Sequence, residues 1–263
     1  MSLVTSTLRA SLVVVAVAAA SLTYPRACGA ADDRYDAAVD HAGRSAADLK
    51  RDAADHSAQI LRLTGIRPGM RVADVLAGDG YFSELLGDLV GPTGHVLMLN
   101  NAAFDNWTGD DRKTRLAGDR LPNVVYRIVD LNQMSLGAET LDAIVLSKVY
   151  HDLYWVDPEG AWPKIDTKAV LDQLVRALRP GGVLLLIDHS GKTGHGSADA
   201  STLHRIDEAF ARQDFEKRGM TVVASSDLLR RADDPREQIS YQEPMLGRTD
   251  RFVLVFRKVA SEK

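Results

Sequence analysis

Four of the chain's seven histidines, His151, His189, His195 and His204, fall between residues 151 and 204, and two of them adjoin an aspartate, as His151-Asp152 and Asp188-His189. Imidazole titrates near neutrality and a neighbouring carboxylate orients it, so such pairs suit the removal of a proton from a hydroxyl or amine. In "KVYHDLYW" (148–155), His151 is the leading candidate for a general base, with Asp152 beside it and His189 as the second candidate. Tyr150, Tyr154 and Trp155 in the same stretch are placed either to face a positive charge or to fill a core. A plainer reading has His151 and Asp152 capping the next helix or holding a loop. His195, in the glycine-rich "SGKTGHGS", reads as solvent-exposed within a polar loop that could serve as a lid, and His204-Arg205 as salt-bridging residues on a helix. Histidines with Asp152 also describe part of a metal-ligand set. Completing it calls for a ligand at Ser147 or its neighbours, none stands there, and no metal is expected.

A second constellation lies upstream. "ADVLAGDGYFS" (73–83) places an acid, two closely spaced glycines and two aromatics where a strand gives way to a helix. Glycines at such a turn let a ligand approach the backbone, and the first strand-to-helix turn of an open α/β sheet is the usual cofactor contact. Glycines that merely make a tight turn are the plain alternative. A dinucleotide fingerprint fits worse, because it needs glycine where Ser83 stands and an acid near residue 100, where the residue is Asn100.

Helices and apolar strands alternate around these two segments. "SAADLKRDAADHSAQILRLTGI" is read as one helix stopped by Gly65 and Pro68. Short β-rich runs follow at 71–76, 95–100, 124–129, 141–147 and 182–188, with helices in "YFSELLGDLV" and "TKAVLDQLVRALRP". Strands apolar on both faces and alternating with helices form a parallel sheet covered on both sides. After a helix around Ser201 to Arg218, "MTVVASSDLL" and "DRFVLVFRK" are strands with no helix between them, so the last should run antiparallel. The expected fold class is α/β, a doubly wound, mostly parallel seven-stranded sheet with an N-terminal helical extension.

With those segments in order, the chain resembles the class I S-adenosylmethionine-dependent methyltransferases. More closely, it is similar to a group of exported bacterial methyltransferases with "GDGY" in the first turn, "YHDLYW" after the fourth strand and "DHS…LHRID" after the fifth. The resemblance covers about residues 45 to 258. It implies a Rossmann-like methyltransferase fold, S-adenosyl-L-methionine as cofactor and a small-molecule acceptor. It further implies that Asp74, Ala77, Gly78, Asp79, Gly80 and Tyr81 flank the methionine part of the cofactor and that Asn100 meets the ribose. Asp130 and Leu131 would meet the adenine, with Ser147 at the end of the fourth strand. His151, Asp152, His189 and Tyr150 would then carry the catalysis. Two positions depart from the superfamily pattern: Leu76 stands where a glycine is usual, and Asn100 where an acid is usual. A neutral amide in place of a carboxylate weakens ribose binding by about 1 kcal/mol.

The first thirty residues read differently. Arg9, the apolar "ASLVVVAVAAASL" and the small residues of "TYPRACGA" compose a secretory signal peptide, predicted to be removed, so the protein is expected in the periplasm or outside the cell. Cys28 is the only cysteine and lacks the leucine that a lipoprotein site carries three positions upstream. The rest is expected to be one domain, a helical segment (31–65) followed by the α/β core (66–263). Without residues 1–30, 30 basic residues face 36 acidic ones, which argues against nucleic acid or an anionic membrane surface as partner. No later run approaches the roughly 18 apolar residues of a membrane span. Two rival readings are a non-catalytic exported ligand-binding protein on the same fold and a hydrolase, the latter lacking a nucleophile motif such as G-x-S-x-G.

Overall fold

The computed structural model describes residues 33–260; the predicted signal peptide and Cys28 lie outside the described residues. Three short helices come first: α1 (Asp33–Val39), α2 (Ala46–Asp55) and α3 (Ser57–Arg62). The single helix expected over this stretch is broken at His56, which adopts a left-handed φ of +50° between α2 and α3. The Ser45 side chain caps α2 by accepting the Asp48 amide at 3.0 Å.

The predicted strands follow as β1 (Arg71–Val75), β2 (His95–Asn100), β3 (Val124–Ile128), β4 (Leu141–Ser147), β5 (Leu178–His189), β6 (Met220–Ser226) and β7 (Arg251–Lys258). They form one sheet in the order β3-β2-β1-β4-β5-β7-β6, with β7 antiparallel to both neighbours and β1 to β5 parallel. The apolar runs of β1, β4 and β5 are buried because each lies between two strands and beneath helices on both faces. One face carries Val75, Leu99, Ile144, Leu184 and Phe256 among others, the opposite face Val72, Val96, Val145, Leu185 and Val255. The "RPGG" of 179–182 extends β5 rather than α7 (Thr167–Ala177).

The strand order reverses between β1 and β4, so their carboxyl ends open a crevice, the usual ligand position in such sheets. Helix α4 (Tyr81–Val90) joins β1 to β2, and two helices fill the connection from β2 to β3, α5 (Ala102–Thr108) and α6 (Asp111–Leu116). The helix expected over 201–218 is divided into α8 (Ala200–Leu203) and α9 (Glu208–Glu216) by His204, again left-handed at φ +49°. Across the carboxyl edge of the sheet runs α2. Its Asp48 pairs with Arg115 of α6 at 2.8 Å, and its Asp55 with Arg251 at the start of β7 at 2.7 Å. No helix among the described residues is long and apolar enough to cross a membrane.

Candidate active site

The turn after β1 is built from left-handed residues: Leu76 (φ +53°), Gly78 (φ +64°) and Gly80 (φ +88°). At Gly80 the φ of +88° strains any L side chain, whose Cβ would also displace the Met98 Cε now 2.6 Å away, and Gly80 N closes the turn on Ala77 O at 3.1 Å. Leu76 holds a conformation that glycine takes freely, and its side chain is buried at 2% exposure in the core rather than facing the crevice. Ala77 N donates to Leu99 O at 3.0 Å, which docks the turn on β2. Asn100, at the end of β2, accepts from Gly78 N at 3.0 Å and donates to Gly78 O at 2.8 Å.

Acidic residues around this turn differ in state. Asp74 is buried at the end of β1 and accepts from Ser83 Oγ at 2.7 Å. Burial pushes its carboxyl up to about 7, and the charge of Asp79 adds to the rise. Asp79 is held by Arg115, which pairs with its carboxylate at 3.0 Å and donates from Nε to its carbonyl at 2.9 Å. Tyr81 faces the N-terminal helices: its hydroxyl meets Asp52 and Ser57, and the Arg51 guanidinium lies 3.7 Å from its ring centre. At the end of β4, beside β1, the buried Ser147 Oγ has no hydrogen-bond partner among the described residues. Asp130 is exposed after β3, its carboxylate accepting from Asn132 N, while Leu131 is buried in the core.

Beyond β4 the histidine cluster assembles. His151 is buried, with Nδ1 2.7 Å from Asp188 Oδ1 and Nε2 3.2 Å from Asp152 Oδ1. Burial alone would discharge this imidazole, but the carboxylates of Asp152 and Asp188 outweigh it and raise it to about 10. His189 is the opposite case. Burial holds its imidazole well below the ordinary value, and the neighbouring charge of His151 acts the same way. Its Nδ1 lies 2.7 Å from Thr249 Oγ1, and its Nε2 has no hydrogen bond to another described residue. Tyr150 stands apart from this group. It is buried against Phe215 and donates to Asp214 of α9 at 2.7 Å.

Two residues take places that the sequence did not fix. His204, expected on a helix, instead sits at the break after α8, where its Nδ1 reaches 3.4 Å from Asp152 Oδ1, so the residue joins the cluster from the far side of β5. Lys148, left-handed at φ +61°, follows Ser147, and burial, with Arg51 and Arg251 nearby, lowers its amine to about 7. Asp55 and Asp79 offset part of this fall, and the charge of Lys148 in turn helps to lower His189. The glycine-rich loop is tied down, Gly194 N donating to Asp207 at 2.7 Å and Asp207 N to Gly196 O at 3.0 Å. As expected, His195 is exposed and Arg205 forms a salt bridge, fully buried in a two-bond pair with Asp234. Aromatic contacts join the two halves of the site, from Phe104, 3.7 Å from the position of a Cβ on Gly78, through Trp162 and Trp155 to His204.

This architecture is the class I methyltransferase fold. A SAM-dependent methyltransferase from Aquifex aeolicus matches it with a TM-score of 0.54 at 18% identity, covering 76% of this chain and 88% of that one. The 4+2 cyclase SpnF matches with a TM-score of 0.54 at 13% identity, covering 80% and 82%. In sequence, the chain is similar to the ubiquinone/menaquinone biosynthesis C-methyltransferase UbiE of Saccharophagus degradans, at 28% identity over 131 residues, 49% of this chain and 46% of that protein. The chain spans about half the length of the curated relatives it matches. No protein-family model matches. A cyclase on the same fold means that the reaction must be argued from the site.

Proposed function

We propose that the protein is an exported methyltransferase of the group marked by "YHDLYW", transferring a methyl group from S-adenosyl-L-methionine to a small-molecule acceptor. One observation carries the reading: at the sheet's reversal point the left-handed Gly78 and Gly80 form the turn after β1, and the unpartnered Ser147 Oγ stands at the end of the neighbouring β4. A buried hydroxyl without a partner costs about 1–3 kcal/mol, which a polar atom of a bound cofactor would recover. The residues fit the cofactor in that respect, with Asp130 exposed beyond β3 for its far end. Asn100 already gives one N–H and one lone pair of its amide to Gly78.

Bound there, S-adenosyl-L-methionine supplies an electrophilic methyl group; the chain supplies position, dryness and a proton acceptor. Of the two candidate bases the geometry favours His189, whose Nε2 is uncommitted, over His151, whose ring nitrogens both face carboxylates. Asp188 orients His151 through both the ring and the backbone amide, which fixes the loop that follows β4. Phe104, Trp162 and Trp155 form a continuous run of ring contacts that ends on His204.

Titration calorimetry with S-adenosyl-L-methionine is the direct test, and saturable binding is the expected result. His189→Ala should then lower turnover by about two to four orders of magnitude with cofactor affinity unchanged. No heat and no thermal shift at millimolar cofactor would refute the reading.

A further inference from the structure

We propose that His151, Asp152 and His204 bind a divalent first-row transition ion, with His151 Nε2, Asp152 Oδ1 and His204 Nδ1 as ligands. Three lines of geometry carry it. The first is spacing: all three candidate ligand atoms lie within 4.8 Å of one another, with Asp152 Oδ1 3.2 Å from His151 Nε2 and 3.4 Å from His204 Nδ1. Two ligands bonded at about 2.0–2.1 Å to one tetrahedral zinc ion stand about 3.3 Å apart, so both pairs that include Asp152 Oδ1 are already at ligand separation, and the two imidazole nitrogens need at most a small approach.

The second is orientation. A ligating histidine almost always gives its other ring nitrogen to a carboxylate, which fixes the tautomer and aims the free nitrogen. Asp188 holds His151 in this way at 2.7 Å, and is itself fixed by the backbone amides of His151 at 2.9 Å and His189 at 2.7 Å.

The third is the cost borne by His204. It holds a left-handed backbone, uncommon outside glycine, and its ring is clamped between Trp155 and Tyr241 at centroid distances of 4.8 Å each. A strained residue held this firmly presents its Nδ1 to Asp152. Two imidazoles and one carboxylate suit zinc, iron(II) or their neighbours better than magnesium or calcium. Three protein ligands leave a coordination position open, the pattern of reactive rather than structural metal sites.

The readout is metal binding itself, so the outcome is independent of the methyltransfer reading and either can fail alone. Mature protein stripped with a chelator is titrated with cobalt(II), followed by its visible absorption, and then with zinc in competition. The expected result is one equivalent bound, with affinity about 100-fold weaker in His204→Asn, since asparagine tolerates the left-handed backbone and the fold can be verified by circular dichroism. Asp152→Asn should weaken binding comparably. Absence of saturable binding at tens of micromolar zinc overturns the proposal. So does wild-type affinity in His204→Asn, which would assign the ion to histidines elsewhere.

Discussion

Asn100 joins its carboxamide to Gly78 twice, accepting from that residue's amide and donating to its carbonyl, so the end of β2 clasps the turn that follows β1. An aspartate at 100 would keep the first bond and lose the second, setting a carboxylate oxygen against a carbonyl oxygen. Asn100→Asp should therefore cost about 1–3 kcal/mol of stability in a denaturant melt, without tightening cofactor binding by calorimetry. Tighter binding at unchanged stability would show instead that the clasp opens for the ribose.

Ser147→Ala separates binding from folding. Its Oγ has no partner among the described residues, so its removal should leave thermal stability unchanged or slightly raised. Cofactor affinity should fall about five- to tenfold, the worth of one hydrogen bond. A drop in melting temperature with no loss of affinity would contradict this assignment.

Asp74 makes stability depend on pH in a definite direction. The folded carboxyl holds its proton to about pH 7, whereas the unfolded one releases it near the ordinary value of 3.8. Its contribution is therefore complete below the unfolded value and is lost as pH rises through 7. Asp74→Asn should be the more stable protein at pH 8, by up to about 4 kcal/mol, and the difference should shrink steadily between pH 7 and pH 4. Chemical denaturation of the two proteins across that range, without cofactor, measures it; a pH-independent difference would show that Asp74 does not titrate in this window.

Leu76 sets two effects against each other. Glycine would relieve the left-handed strain, worth about 1–2 kcal/mol, but would empty a buried site, worth about 2–5 kcal/mol for a leucine truncated to alanine. Loss of packing outweighs relief of strain. Leu76→Gly should therefore destabilise the protein in a thermal melt, while cofactor affinity stays unchanged because the side chain lies in the core. A gain in affinity would place Leu76 in the crevice after all.

Much of the sheet was legible because its inner strands are short apolar runs with no competing pattern, and because the absence of a helical run between β6 and β7 implied the antiparallel return. Helix breaks were not legible. His56 and His204 take left-handed conformations that a histidine does not announce, and what places them is tertiary contact. The same break hid the meeting of His204 with Asp152, since it joins residues separated by the whole of α7 and β5. Tyr150 illustrates the converse. It adjoins His151 in sequence, but successive residues of a tight turn point apart, and it went to Asp214. Types and neighbours identified which residues could react; the topology determined which of them meet.

The place of β7 in the sheet governs how the molecule can come into being. It lies between β5 and β6, and its first residue, Arg251, is the partner of Asp55, 196 positions earlier. Until residues 251–258 exist, β6 has no strand to pair with and Asp55 at the end of α2 lacks its Arg251 partner. A nascent chain therefore cannot complete its sheet piecemeal from the amino end, and the long-range closure makes folding slow and late. Until then the outer edge of β5 stands unpaired.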